Sequence, residues 1–499
     1  MTTTYESLTE HFQKLSRLEH AMTYLSWDQM VVMPEHGVSK RADAIAELAA
    51  IHHELLTASD LEDKFSTASA EANGDVALSL REMKRVWSQA TCLPAELVKA
   101  KIKAGSRCEH GWRTQRSAND WQGFLANFEE VLELGREEAR LRQASDPERL
   151  ATPYDAMLDL HCTGDSKALI DSVFQRLRDE LPGLLTEVVE KQKADSPLII
   201  SGEFASELQQ QLNRELMLNL GFDFQAGRLD ESMHPFSTGG AGDLRITTRF
   251  TNDGFLDALL ATAHETGHAS YEGGLPAAWQ GLPVGGFRNM SIHESQSLLF
   301  EKQIFLSRAF MTFFTPRIHS VLPQTAAHGS DELWQLATRV KPGYIRVDAD
   351  EVTYPLHVML RYEIESALIN GELNAADIPD CWNEKMQSYL GLSTDGNYTD
   401  GCLQDIHWTD GAFGYFPSYT LGALNGAQIF ATIKGEYGDW QDRLAKGDTV
   451  FIRDWLQQKI WSQGCLLESQ PLMQAATGQG TSPDAYLKHL RERYLHDAY

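Results

Sequence analysis

The chain lacks the features of a membrane or secreted protein. Nowhere in its 499 residues do about 18 apolar residues follow one another, so no segment is predicted to span a membrane. Residues 1–20 mix polar and apolar side chains and contain no uninterrupted apolar core, which is not the pattern of a signal peptide. We therefore expect a cytoplasmic protein with no membrane partner.

Basic residues are scarce relative to acidic ones. The sequence has 44 Lys and Arg against 70 Asp and Glu, a formal net charge of −26. A surface that binds nucleic acid needs clustered Lys and Arg, and no basic run exceeds a few residues, so no nucleic-acid partner is expected. The six cysteines include no CxxC pair and are expected to be reduced, mostly buried thiols.

What the chain has is the composition of a large globular protein, with 42% hydrophobic and 23% charged residues. Apolar residues recur at helical spacing over 40–56, 121–142 and 167–191. Residues 243–250 instead alternate apolar and polar side chains between glycine-rich turns, which predicts a strand. The fold is therefore predicted to be mainly α, with a short strand in the middle of the chain.

A His-Glu-x-x-His motif follows this strand, in an Ala- and Leu-rich run that predicts a helix ending near Gly273. Residues four apart on a helix lie on one face, so His264 and His268 can share one tetrahedral Zn²⁺. Glu265 lies beside the first ligand and is predicted to be the base that deprotonates a zinc-activated water. The alternative is a structural helix with two surface histidines.

Catalytic zinc usually takes three protein ligands. The next helical run, 292–301, offers His293 and Glu294 for the third position. The two are adjacent in sequence but about 100° apart around a helix. Spacing alone does not decide between them.

Five motifs in this part of the chain resemble those of the carboxypeptidase Taq family of metallocarboxypeptidases, and they occur in the family's order. They are Asp243-Leu244-Arg245-Ile246-Thr247 (D-x-R-x-T), His264 to His268 (H-E-x-x-H), His293-Glu294-Ser295-Gln296 (H-E-S-Q), Ile345 to Asp350 (I/V-R-x-x-A-D) and Gly401 to Trp408 (G-x-x-Q-D-x-H-W). Weaker likeness at 26–29, 152–156 and 234–236 extends the resemblance over nearly the whole chain. Leu298, Phe300 and Ser270 depart from the family's usual residues, but none is a metal ligand in it.

The resemblance implies that Glu294 is the third metal ligand. It also implies a mainly α, saddle- or clam-shaped peptidase of the neurolysin type, with a deep central groove and a small β-sheet beside the zinc helix. Residues 1–499 would form a single catalytic unit, with 1–200 as a helical lobe over the groove and 201–499 as the zinc-site lobe. A homodimer is expected, and Co²⁺ is the alternative to Zn²⁺ because His₂Glu sites accept both.

The predicted activity is that of a metallocarboxypeptidase, which releases single C-terminal amino acids from peptide substrates. Glu265 would act as general base and then as proton donor to the leaving amine. The tetrahedral intermediate bears an oxyanion that needs a donor besides zinc. His407 is the first candidate, with Tyr419 and Tyr415 behind it, the last as a substrate contact; each is alternatively a buried structural side chain. Asp405 is predicted to orient His407 or a zinc ligand.

Release of a C-terminal residue also requires a group that binds the terminal carboxylate. The planar fork of arginine does this bidentately. Arg346 is the first candidate and Arg245 the second. The alternative is an ion pair within the same motif, with Asp350 for Arg346 and with Asp243 for Arg245. The strand 243–250, including Thr247, is predicted to pair with an extended substrate backbone as an added edge strand.

Two other kinds of function fit the same residues. A zinc endopeptidase or a dipeptidyl carboxypeptidase would use the same metal chemistry and differ only in the depth and closure of its groove. A non-catalytic helical scaffold would retain the metal site alone. The intact Glu265 argues against the scaffold, because a purely structural metal site needs no base.

Overall fold

The computed structural model describes residues 3–195 and 198–496, and over these residues the chain is mostly helical with one small sheet. The α-helices are α1 (Thr4–Val31), α2 (Val38–Leu56), α3 (Leu61–Glu71), α4 (Gly74–Thr91), α5 (Ala95–Ser117), α6 (Trp121–Ser145), α7 (Pro153–Leu158), α8 (Lys167–Gln192), α9 (Ser206–Asn219), α10 (Leu256–Gly274), α11 (Met290–Leu298), α12 (Arg308–Val321), α13 (Ser330–Ala337), α14 (Tyr354–Asn370), α15 (Ile378–Leu390), α16 (Pro417–Glu436), α17 (Trp440–Leu444), α18 (Val450–Lys459), α19 (Ser469–Thr477) and α20 (Asp484–Tyr494). The strands are β1 (Gly227–Glu231), β2 (Phe236–Gly240) and β3 (Asp243–Thr248).

Shorter helical segments join these elements. Single 3₁₀ turns span Glu35–Gly37, Ala277–Trp279, Pro283–Gly285, Pro323–Thr325, Arg346–Asp348, Ala375–Asp377, His407–Asp410 and Trp461–Gln463. A π-helical segment, Leu299–Phe305, continues directly from α11. The predicted helices coincide with α2, α6, α8 and α10, and the predicted strand is β3, so the mainly α class with a small sheet is confirmed.

The sheet has the order β1-β3-β2, with β1 parallel and β2 antiparallel to β3. Leu244 and Ile246 of β3 turn to the same face and pack with Leu229 of β1 and Ala269 of α10. The sheet therefore lies against the helix that carries the His-Glu-x-x-His motif.

The central position of β3 corrects one prediction. Both edges of β3 are already paired, so it has no free edge for a substrate strand. Thr247 is fully buried, and its hydroxyl bonds to the Ser232 hydroxyl at 2.7 Å and accepts the Phe236 N–H at 3.1 Å. The prediction that β3 and Thr247 bind substrate backbone is therefore wrong. The two edge strands of this sheet are β1 and β2.

The hydrophobic core combines residues from both sides of position 200. One large cluster joins side chains from 104–188 to side chains from 340–494. A second extends from 204 to 476, and a third packs α1, α3 and α4 against Leu282 and Val284. The predicted unit also includes residues 1, 2, 196, 197 and 497–499, which lie outside the described residues.

Glycines allow α10, α11 and α16 to approach closely. A Cβ at Gly267 of α10 would meet the Gln296 carbonyl oxygen of α11 at 2.4 Å. A Cβ at Gly422 of α16 would meet the Cβ and Cγ of Glu294 at 2.6 Å each. Because both neighbouring helices approach α11 this closely, Glu294 lies between α10 and α16.

Two further expectations concern the chain as a whole. None of the described helices is long and apolar enough to cross a membrane. All six cysteines are unpaired, and Cys108, Cys162, Cys402 and Cys465 are buried.

Candidate metal centre

Three donor side chains meet where α10 packs on α11. His264 and His268 lie one turn apart on α10, and Glu294 comes from α11. Glu294 Oε2 is 3.7 Å from His264 Nε2 and 3.4 Å from His268 Nε2. Of the residues the structure describes, these alone form a group of three or more potential metal-binding side chains with all donor atoms within 4.8 Å of one another.

The spacing of these donors fits a divalent cation. Ligands about 2.1 Å from a tetrahedral centre are about 3.4 Å apart, close to both measured distances. Burial favours the protonated form of Glu294, but the nearby His264 and His268 outweigh it and hold the pKa of this carboxyl at about 2. The site therefore presents an ionised carboxylate and two imidazole nitrogens to one point.

A second carboxylate orients the first histidine. His264 Nδ1 lies 2.9 Å from Oε2 of Glu301, in the π-helical segment. Such a contact fixes the ring and leaves Nε2 for a metal. Glu301 is not among the sequence candidates, although its position two turns beyond Glu294 on the same helical run is a usable signal.

His293 is directed away from the donor group. Its Nε2 lies 3.0 Å from Glu272 Oε1, and its ring stacks on His268 at a centroid distance of 4.4 Å. Of the two adjacent candidates for the third position, the structure brings Glu294, and not His293, to the two histidines.

Glu265 follows His264 on α10 and is 7% exposed. Burial raises the pKa of the Glu265 carboxyl to about 7. The charge of His264 acts in the opposite direction but is the smaller effect. A carboxyl with this pKa can accept and donate protons near neutral pH.

Arg346 is buried in an ionic and aromatic cluster. Its Nη2 lies 2.9 Å from Asp405 Oδ1, and its Nη1 donates to the Tyr354 hydroxyl at 2.8 Å. Arg361 binds the other oxygen of Asp405 at 2.6 Å, so two guanidinium groups share one carboxylate. This leaves a local surplus of one positive charge.

Two predicted partners in this cluster are corrected. Asp350 does not pair with Arg346; its carboxylate accepts the backbone N–H groups of Lys341, Val352 and Thr353. The hydrogen bonds of Asp405 go to arginines rather than to His407 or a metal ligand.

Arg245 has a structural role. Its guanidinium makes two 3.0 Å bonds to Asp243 of its own motif. It also lies over the rings of Tyr24 and Trp27, at 4.5 and 4.2 Å from their centroids. These contacts fasten α1 to β3, in agreement with the structural alternative for this residue.

His407, Tyr415 and Tyr419 form one aromatic cluster. His407 Nε2 lies 3.3 Å from the Tyr419 hydroxyl, and the Tyr415 and Tyr419 ring centroids are 5.3 Å apart. Burial lowers the pKa of His407 to about 4 and raises that of Tyr415 to about 12, so both are neutral at pH 7. His161, whose ring is 5.0 Å from Tyr415, joins the cluster, and no local motif marks it.

Two cavities lie near these residues. One of about 220 Å³ is lined by His264, Glu294, Val347 and Tyr354, among others. A larger one, about 790 Å³, is lined by Glu272 and His293 together with residues of α1 and β2.

Known proteins match this sequence over nearly its whole length. The model of the carboxypeptidase Taq (M32) metallopeptidase family matches residues 7–494. The chain is 34% identical over 500 residues to thermostable carboxypeptidase 1 of Thermus thermophilus, covering 98% of each chain. It is 31% identical over 499 residues to carboxypeptidase 1 of Bacillus subtilis, again covering 98% of each.

Solved structures show the same fold. Metallocarboxypeptidase 1 of Trypanosoma cruzi superposes with a TM-score of 0.95 at 40% identity, over 99% of each chain. The M32 carboxypeptidase of Deinococcus radiodurans gives a TM-score of 0.93 at 32% identity, over 98% of each. The chain therefore belongs to the carboxypeptidase Taq (M32) family of metallopeptidases and is a metal-dependent peptide hydrolase.

Proposed function

We propose that the protein is a zinc carboxypeptidase that releases single amino acids from the C-terminus of peptides, with the metal held by His264, His268 and Glu294. The observation that carries the proposal is the close grouping of these three donors, two of which, His264 and Glu294, line a cavity together with Tyr354. The Tyr354 hydroxyl in turn accepts a hydrogen bond from Arg346, so an arginine suited to a terminal carboxylate lies behind a residue that lines this cavity.

The chain's own acid–base group is Glu265. When bound, a divalent metal acidifies water and polarises the carbonyl of the scissile bond. Glu265 takes the proton of the attacking water and then passes it to the nitrogen of the departing amino acid. Its pKa of about 7 supports both transfers. Glu301 keeps His264 in the orientation that ligation requires.

His407 and Tyr419 are proposed to stabilise the developing oxyanion. A neutral imidazole and a neutral phenol each carry one hydrogen to donate. When His407 Nε2–H donates to the Tyr419 oxygen across their 3.3 Å contact, the Tyr419 O–H stays free to donate to the oxyanion, so the two residues act in series. Tyr415, which packs against Tyr419, is proposed as a substrate contact.

Arg346 is proposed to bind the terminal carboxylate of the substrate. The two arginines that share Asp405 leave one positive charge uncompensated, which favours an incoming anion. Arg245 is not proposed for this role, because Asp243 alone matches its charge, whereas Arg346 and Arg361 share a single carboxylate.

The proposal is tested with a peptide of about five residues that carries a blocked N-terminus, followed by mass spectrometry over time. We expect a ladder that loses one C-terminal residue at a time. Chelator should abolish it, Zn²⁺ or Co²⁺ should restore it, and a Glu265→Ala variant should lack it. Dipeptide or internal products would show a dipeptidyl carboxypeptidase or an endopeptidase. No cleavage by the metal-loaded protein would favour a scaffold.

We further propose that the protein is a cytoplasmic homodimer. The family resemblance supports the dimer, and six unpaired cysteines suit a reducing compartment. Light scattering on the purified protein should give twice the 55.9 kDa mass of one chain. A mass equal to one chain would contradict the dimer.

A further inference from the structure

The π-helical segment Leu299–Phe305 carries the carboxylate that orients His264. Its backbone includes a bond from the Leu306 N–H to the Glu301 carbonyl, five residues back, at 3.1 Å. π-Helices are rare and are frequent at functional sites. The position of Glu301 therefore depends on this uncommon backbone as well as on Lys302, whose Nζ lies 2.6 Å from Glu301 Oε1.

Arg493, in the C-terminal helix α20, contacts the segment directly. Its Nη2 donates to the Lys302 carbonyl at 2.6 Å and to the Leu306 carbonyl at 3.3 Å. Arg493 is only 2% exposed. Carbonyls at the irregular end of a helix need such donors, and a guanidinium can serve two of them at once.

A buried carboxylate holds Arg493 in place. Glu351 Oε2 accepts Arg493 Nη1 at 2.8 Å, and Glu351 Oε1 lies 2.8 Å from His489 Nε2. The Tyr494 hydroxyl donates to Glu351 at 3.1 Å. Three residues of α20 thus converge on one carboxylate, which lines the same cavity as His264 and Glu294.

We infer that Arg493 is a positioning residue for the metal centre. By binding the Lys302 carbonyl it fixes the π-helical segment, and through that segment it fixes Glu301 against His264. A continuous path of contacts thus joins the C-terminal helix to a metal ligand more than two hundred residues away. The inference rests on the proposed function, because it requires His264 to bind the metal.

A purely structural role would only tie α20 to the body of the protein, so the test compares two substitutions in α20. Arg493→Met removes both bonds to the segment. Leu490→Ala opens the hydrophobic core beneath the same helix, in a cluster that includes no residue of the π-helical segment. The full-length apoproteins would be titrated with Zn²⁺ against a chromogenic chelator, and thermal unfolding would be followed in parallel. Arg493→Met should weaken zinc binding by about 10–100-fold. Leu490→Ala should lower the Tm while zinc affinity stays at the wild-type value.

A double-mutant cycle with Glu301→Gln identifies the route of the effect. If Arg493 acts through Glu301, Arg493→Met should cost little further zinc affinity once Glu301 is Gln. An equal loss in both backgrounds would overturn the inference. Arg493→Lys keeps the charge beside Glu351 and serves if the Met variant does not fold. Arg493→Lys should show the same dependence on Glu301, with a smaller loss of zinc affinity.

His264→Ala separates this inference from the proposed function. If His264→Ala binds zinc as tightly as the wild type, the proposed metal ligation itself is wrong. If His264→Ala abolishes zinc binding while Arg493→Met and Arg493→Lys bind zinc like the wild type, the inference about Arg493 alone is overturned.

Discussion

At the residue scale, a substitution of Glu265 is expected to reduce catalysis without reducing metal binding. Glu265→Gln keeps the size of the side chain and removes its ability to carry a proton. We expect kcat to fall by about 10²–10⁴-fold, because general acid–base catalysis contributes that much. Metal content should not change, since Glu265 is outside the donor group. Steady-state kinetics and metal analysis of the same preparation check this; a variant with wild-type kcat would contradict the assigned role.

Arg346 allows a second prediction at this scale. Arg346→Lys keeps a positive charge but loses the bidentate fork, so kcat/KM for a peptide with a free C-terminus should fall by about 10-fold or more. The matched control is Arg245→Lys, whose guanidinium lies between Tyr24 and Trp27. We expect this control to cleave like the wild type. An equal loss in both variants, measured on the same peptide, would contradict the assignment of Arg346.

The sequence could predict site residues only where the contact is local or the motif is known. His264, Glu265 and His268 follow from helical spacing alone. The third donor required the family resemblance, because His293 and Glu294 are adjacent. Local spacing suggests Asp350 as the partner of Arg346, and this prediction is wrong. The carboxylate that binds Arg346 is Asp405, 59 positions away.

At the element scale, the close approach of α16 to α11 at Gly422 sets the position of the third donor, Glu294. Gly422→Ala would push a methyl group to 2.6 Å from Glu294, so we expect zinc affinity to fall by about tenfold or more. Gly435→Ala, also in α16, meets no atom within 4 Å and should leave zinc affinity unchanged. A zinc titration of both variants checks this. Wild-type affinity in Gly422→Ala would show that the helices can separate without disturbing the donors.

Elements were predictable to the extent that their own side chains mark them. β3 has buried Leu244 and Ile246 in alternation and is visible in the sequence. β1 buries one residue within its five, and β2 buries none, so neither has such a pattern. Pairing partners are not encoded in a single strand, which is why β3 was mistaken for an edge. The π-helical segment was also missed, because its apolar spacing continues that of α11.

At the scale of the whole molecule, Glu365 links stability to pH. Its side chain is fully buried beside Trp408 of the largest hydrophobic cluster. The carboxylate accepts hydrogen bonds from Trp408 Nε1 at 3.0 Å and from the Gly414 N–H at 3.2 Å. Burial nonetheless raises the pKa of Glu365 to about 7. The folded state thus prefers the protonated carboxyl more than the unfolded chain does. The contribution of Glu365 to the free energy of unfolding is complete below about pH 4.5 and is lost as the pH rises through about 7.

The corresponding prediction compares the wild type with Glu365→Gln, which cannot ionise. Relative to the wild type, the variant should gain on the order of 3 kcal/mol in free energy of unfolding between about pH 4.5 and pH 7.5. Denaturant unfolding at several pH values measures this difference. Any lost hydrogen bond adds a constant offset, so a difference that does not vary with pH would contradict the prediction.

The overall class was predictable because long amphipathic helices dominate the chain, but the arrangement of those helices was not. The core joins side chains on both sides of residue 200, and the metal centre joins α10, α11 and the segment after it. Such contacts depend on packing between distant elements. Only the family resemblance carried information about them.

The most direct test of the proposed centre is to locate the metal. Anomalous diffraction from crystals of the zinc-loaded protein, recorded above and below the zinc absorption edge, should give one strong peak. We expect it about 2.0–2.2 Å from His264 Nε2, His268 Nε2 and a carboxylate oxygen of Glu294. A peak elsewhere, such as between His293 and Glu272, or no peak from protein that binds zinc in solution, would contradict the proposed metal site.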